Sequence, residues 1–72
     1  MVLSASETDR ELFGICWNSL TKIKQTTVFA NSSLRDGNPL SQFLGRDWGR
    51  FSLDDQVRLI NAMVKTGNSC FN

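Results

Sequence analysis

Histidine is missing from this 72-residue chain. Its absence removes the side chain most often used as a general base near neutral pH and the commonest metal ligand. Nor does the sequence contain a glycine-rich phosphate loop, a nucleophile elbow or a metal-ligand spacing. Gly45-Arg46-Asp47-Trp48-Gly49 lacks the lysine–hydroxyl pair and the preceding strand of a phosphate loop. The adjacent Asp54 and Asp55 would diverge by about a quarter turn on a helix, so they cannot share a proton. Their place is the first turn of a helix, where carboxylates are favoured. The sequence therefore predicts a protein that is not an enzyme and needs no cofactor or metal.

Cysteine occurs only at Cys16 and Cys70. Two widely separated cysteines make neither a disulfide framework nor a zinc site. Cys16 falls on the apolar side of a predicted helix, where a thiol acts as a small hydrophobe. The expectation is two reduced thiols in a cytoplasmic protein. Excess charge of one sign is lacking too: eight basic residues against seven acidic ones leave a net charge of +1. That is too little to steer the molecule toward DNA or an anionic membrane by its overall field. No apolar run approaches the ~18 residues of a membrane span, and no charged-then-apolar leader opens the chain. Neither a signal peptide nor a membrane contact is expected.

What is present is a globular composition, 40% hydrophobic and 21% charged. Residues 1–72 form one domain, which at this size buries only about 60% of the surface its unfolded chain exposes. At about 0.05–0.15 kcal/mol per residue, stability is roughly 4–11 kcal/mol. Self-association or a binding partner would add to that margin.

The longest periodic run is Thr8 to Gln25. Leu12, Cys16, Leu20 and Ile23, flanked by Phe13, Ile15 and Trp17, give one broad apolar side of a helix. Ser4-Ala5-Ser6-Glu7 and Thr8-Asp9-Arg10-Glu11 both match the capping box, so the start is ambiguous by one turn. Acidic residues lead and Lys22 and Lys24 close, the order the helix dipole favours. Val2 and Leu3, ahead of it, are apolar enough to dock. Thr26 to Phe29 show no helical spacing; they could extend the helix, form a short extended segment or lie as a strap over the core. Asn31 to Asn38 carry loop chemistry. Asn38 and Pro39 suit the start of a second helix, with Leu40, Phe43, Leu44 and Trp48 in register. A third helix opens on Ser52-Leu53-Asp54-Asp55, with an apolar stripe at Leu53, Val57, Ile60 and Val64 widened by Leu59 and Met63. It closes on Lys65 and Gly67.

Helices over about 6–25, 39–48 and 53–66 give an all-α fold: a compact three-helix bundle with an ordered irregular connection between helices 1 and 2. Connections as long as 26–37 tend to be functional or held by packing.

Two surfaces stand out. Arg46, Trp48 and Arg50 combine the residue types enriched in interface hot spots. The competing structural reading has Trp48 and Phe51 plugging the core, Arg46 and Arg50 solvated and Asp47 paired to one of them. On helix 1, Phe13 and Trp17 belong to an apolar set covering more than half the circumference. Either a partner or homodimer covers the excess, or Val28, Phe29 and Leu34 close over it. The sequence thus favours a protein–protein interaction module, a small regulator, inhibitor or adaptor, with Arg46, Trp48, Arg50, Phe13 and Trp17 as partner-binding residues. Transcriptional or mobile-element machinery is the target suggested by size alone. The alternatives are a small DNA-binding protein using Arg58, Asn61 and Lys65 of helix 3 with Lys22 and Lys24 on phosphates, and a structural subunit of a homo-oligomer.

Overall fold

The computed structural model describes residues 6–70. The first helix, α1, spans Glu7–Ser19. Its cap is Ser6, which opens neither of the two capping-box matches: the Ser6 hydroxyl accepts the Asp9 amide at 3.1 Å, and Thr8 lies inside the helix. The predicted docking of Val2 and Leu3 lies outside the described residues.

The single helix expected over 6–25 is broken. Leu20 leaves helical geometry, with φ −68° and ψ 143°. Thr21 then caps a new helix, α2, Lys22–Ala30, its hydroxyl accepting the Lys24 amide at 3.2 Å. The break is chemically compensated. In a continuous helix the Trp17 carbonyl would take the Thr21 amide; instead it accepts from the Leu20 amide at 3.1 Å and from Gln25 Nε2 at 2.9 Å. Residues 26–29, expected to lack helical spacing, are helical. Their spacing is visible once the buried Gln25 is counted with Val28 and Phe29.

α3 spans Leu53–Thr66, the range expected from the sequence, between the Ser52 cap and Gly67. Gly67 adopts φ 72°, and its amide and that of Asn68 reach back to Val64 and Met63 carbonyls at 3.3 and 2.9 Å. This is the left-handed stop for which glycine is suited. The helix faces the core in a different phase from its expected stripe. Gln56, Leu59, Ile60, Ala62 and Met63 are buried, while Leu53 and Val64 are exposed.

Three helices and no strand among the described residues make the fold all-α. The long irregular connection lies between α2 and α3, over residues 31–52. The α-helix expected at 39–48 is replaced there by single 3₁₀ turns at Leu40–Gln42 and Trp48–Arg50, with another at Ser33–Arg35. Asn38 does not cap it; its carboxamide donates to the Leu34 carbonyl at 3.0 Å. Pro39 is extended and Gly45 turns left-handed at φ 74°, so too few consecutive helical residues remain.

Side chains from all three helices hold this connection. Gln25 Oε1 accepts the Gly45 amide at 2.9 Å. Trp17 Nε1 donates to the Arg46 carbonyl at 3.0 Å, Asn18 Oδ1 accepts the Trp48 amide at 3.3 Å, and Gln56 Nε2 donates to the Trp48 carbonyl at 3.1 Å. Gln25 and Gln56 are both buried. They supply the partners that regular structure would have given the backbone. An aromatic chain fills the middle: Phe29 against Phe43 at 4.9 Å, Phe43 stacked on Phe51 at 5.4 Å, and Phe51 edge-on to Trp17 at 5.7 Å and to Trp48 at 6.0 Å.

The two cysteines form a disulfide, Cys16–Cys70, with Cα atoms 5.6 Å apart. The expectation of reduced thiols is thereby overturned. Sequence separation carries no information on proximity; the reversal at Gly67 returns the tail to α1. The Asn68 carbonyl rests 3.3 Å from Cys16 Sγ. Since a disulfide sulfur has no proton, this is a packing contact. Among the described residues, no helix is long and apolar enough to cross a membrane.

Candidate functional site

The Arg-Trp-Gly-Arg segment enters the fold with its aromatic group inward. Trp48 is buried and lies directly against Gly14 of α1, where a Cβ would come within 2.7 Å of the ring Cγ. Glycine is required there by close approach. Trp48 Nε1 has no hydrogen-bond acceptor among the described residues. Trp17 is fully enclosed as well. Neither tryptophan offers a surface to a partner, and the reading of them as contact residues gives way to a core role. Phe13 is half-buried against the same cluster.

The flanking arginines are exposed. The Arg46 guanidinium sits 5.8 Å from the Phe51 ring centroid and donates to the Gln42 carbonyl at 3.3 Å, which ties it to the irregular connection. Asp47 pairs with neither arginine: its carboxylate accepts from Asn18 Nδ2 at 3.4 Å.

The question of which residues cover helix 1 resolves in two parts. The inward side of α1 is covered mainly by the Trp48–Arg50 turn and α3, with Trp48 against Gly14 and Phe51 edge-on to Trp17, while Val28, Phe29 and Leu34 are buried elsewhere in the same core. The outward side of α1 keeps Leu12 and Ile15, three residues apart and therefore neighbours on one face. Ile15 is 68% exposed, and Ile23, just past the Leu20–Thr21 break, is 79% exposed. Ile23 was expected to share the apolar side of helix 1; the break turns it to solvent.

A second feature was only partly legible in the sequence. Between the end of α2, the following 3₁₀ turn and α3 lies a cleft of about 430 Å³. Arg58, Asn61 and Lys65 line it together with Arg35, Asp36, Ser33 and Asn31. Three of the five residues considered for nucleic-acid contact thus converge. Lys22 and Lys24 do not, since they begin α2 whereas the cleft lies at its far end. Arg35 was missed because 31–38 reads only as loop chemistry.

The cleft's side chains are pre-positioned. Arg58 Nε pairs with Asp54, one turn back on α3, at 2.9 Å, and its Nη1 donates to Ser33 Oγ at 3.3 Å. Arg35 Nη1 donates to the Ala30 carbonyl at 3.3 Å, and its Nε lies 3.8 Å from Asp36. Asn61 Oδ1 is buried without a hydrogen-bond partner among the described residues. Lys65 is exposed in the last turn of α3 and makes no ion pair or hydrogen bond among the described residues. The arrangement offers positive charge and N–H donors.

Neither a family model, nor a curated protein, nor a solved structure matches this chain.

Proposed function

We propose that the protein is a non-enzymatic binding module, a small regulator or adaptor that meets another protein through the outward apolar side of α1 and α2. The observation that carries this reading is the exposure of Ile15 and Ile23 on either side of the helix break. Covering one such side chain contributes about 1.5–3 kcal/mol, and Ile15 has Leu12, itself 43% exposed, as its neighbour three residues back on α1. With both tryptophans committed to the core, these aliphatic residues replace them as the partner-binding set. A sequence without histidine adds support to the non-enzymatic reading.

The cystine bears on where the module works. Disulfides persist in oxidising compartments and are rare in reducing ones. Cys16–Cys70 therefore supports an oxidising setting over the cytoplasm, and a partner there over transcriptional or mobile-element machinery.

The test is the double variant Ile15→Asp, Ile23→Asp. Both positions are exposed, so its far-UV circular dichroism spectrum should match the parent protein. Sedimentation and cross-linking of the parent protein should reveal association, either with a second copy or with another protein, and the variant should lose it. Association that survives both substitutions would contradict the reading. A second reading, nucleic-acid contact, is favoured by the convergence of Arg58, Asn61 and Lys65 on one cleft.

A further inference from the structure

We infer that the cleft between α2 and α3 is a binding site for a phosphate ester. The inference is independent of the apolar face, since it uses other residues at the far end of α2.

A guanidinium carries five N–H donors in a fixed fork. Arg58 spends one on Asp54 and one on Ser33; Arg35 spends one on the Ala30 carbonyl and at most one more on Asp36. Each therefore keeps three for a ligand, and Lys65 brings three more. The protein's own acceptors do not match this supply. Asp36 is the one carboxylate on the lining and is almost fully exposed. The Ser32 hydroxyl is occupied, donating to the Phe29 carbonyl at 2.7 Å and accepting the Leu34 amide at 3.2 Å. The carbonyl end of α2, which would repel an anion, is answered by Arg35 at Ala30.

A ligand that fits must bring several acceptors and negative charge to planar forks, as phosphate does. The cleft, at about 430 Å³, has room for more than a lone ion. Only Ala30 and Ala62 are apolar on the lining and none of it is aromatic. A nucleobase has nothing to stack on there. The phosphate is consequently carried by something polar: a sugar phosphate, or the sugar–phosphate backbone of a nucleic acid.

The experiment is an NMR titration of the oxidised, isotope-labelled protein with ribose 5-phosphate, with plain ribose and with a duplex oligonucleotide, at matched low salt. Saturable shifts at Arg58, Asn61 and Lys65 with ribose 5-phosphate, and none with ribose, are expected if the source is a small molecule. The same shifts with the duplex alone, lost steeply as salt rises, identify the nucleic-acid backbone as the source. In either case Lys65→Gln should weaken binding roughly tenfold, the loss of one charge-assisted bond. Lys65 is exposed and unpaired, so the melt should not change. Arg58→Lys should fall in affinity as well, because charge without a fork does not replace it. Equal binding of ribose and ribose 5-phosphate, no saturable shift with either phosphate probe, or affinity untouched by Lys65→Gln overturns the assignment.

Discussion

Reduction of Cys16–Cys70 should cost this protein a large share of its stability. The bond closes a loop with a sequence separation of 54, linking α1 to the tail that follows α3. In the chain-entropy account, cross-linking a loop of about 55 residues removes about 14 cal/mol/K from the unfolded ensemble, or about 4 kcal/mol at 25 °C. A domain of this length has only roughly 4–11 kcal/mol in total. For so small a domain each kcal/mol moves the melting temperature by about 4–8 °C, so the expected drop is about 15–30 °C. The assay is a thermal melt followed by circular dichroism, with and without a phosphine reductant, and thiol content checked by mass spectrometry. Cys70→Ser should reproduce the reduced protein, because Cys70 is exposed and its loss removes only the cross-link. Cys16→Ser should be worse by about 1–3 kcal/mol, since it also buries a hydroxyl at a site 1% exposed. A reduced protein melting within about 3 °C of the oxidised one would refute this reasoning, being less than the effect of 1 kcal/mol.

The packing makes further predictions. Gly14→Ala should destabilise by about 1–3 kcal/mol in urea unfolding, because the new methyl group meets the Trp48 ring. An unchanged or raised midpoint, as helix propensity alone would give, would show that Trp48 does not pack there. Gln25→Ala should cost about 1–3 kcal/mol and speed hydrogen exchange at the Gly45 amide, whose acceptor is removed. Slow exchange at Gly45 in that variant would mean that the connection is held by other means. Trp17→Phe should be more damaging than Trp48→Phe, because only Trp17 has an acceptor for its indole N–H. Equal losses, measured by the same unfolding curves, would remove the Trp17–Arg46 bond from the account.

How far the sequence disclosed this molecule depends on the kind of signal each element carries. Local chemistry was readable. Ser52, the first-turn Asp54 and Asp55, Lys65 and Gly67 mark α3, and the helix runs between them as expected. The break at Leu20–Thr21 was hidden because apolar spacing continues through it. The competing signal is the threonine, whose hydroxyl caps α2 while the buried Gln25 secures the abandoned Trp17 carbonyl. Buried glutamines look like surface in a hydrophobic pattern, and that also explains the missed phase of α3, where Gln56 faces inward. The helix expected at 39–48 shows the opposite error: good starting residues could not outweigh Gly45 and the side chains that bind the backbone in another shape. Long-range facts were not legible at all. Nothing in the spacing of Cys16 and Cys70 reveals their meeting, nor that Arg35 would face Arg58 and Lys65 across a cleft. The same holds for the partner-binding residues. Trp48 has the composition of a hot spot, but Gly14 gives it a place in the core.

The measurement that tests the functional account most directly is site-specific photo-crosslinking of the oxidised protein in its native host. One form carries the photoreactive side chain in place of Ile15, another in place of Ile23, and a third at Ser41, an exposed polar position on the irregular connection. The account predicts a discrete protein adduct from positions 15 and 23 and none from 41, with the adduct's mass separating a second copy of this chain from a different protein. Adducts from all three positions alike, or none from 15 and 23, would contradict it.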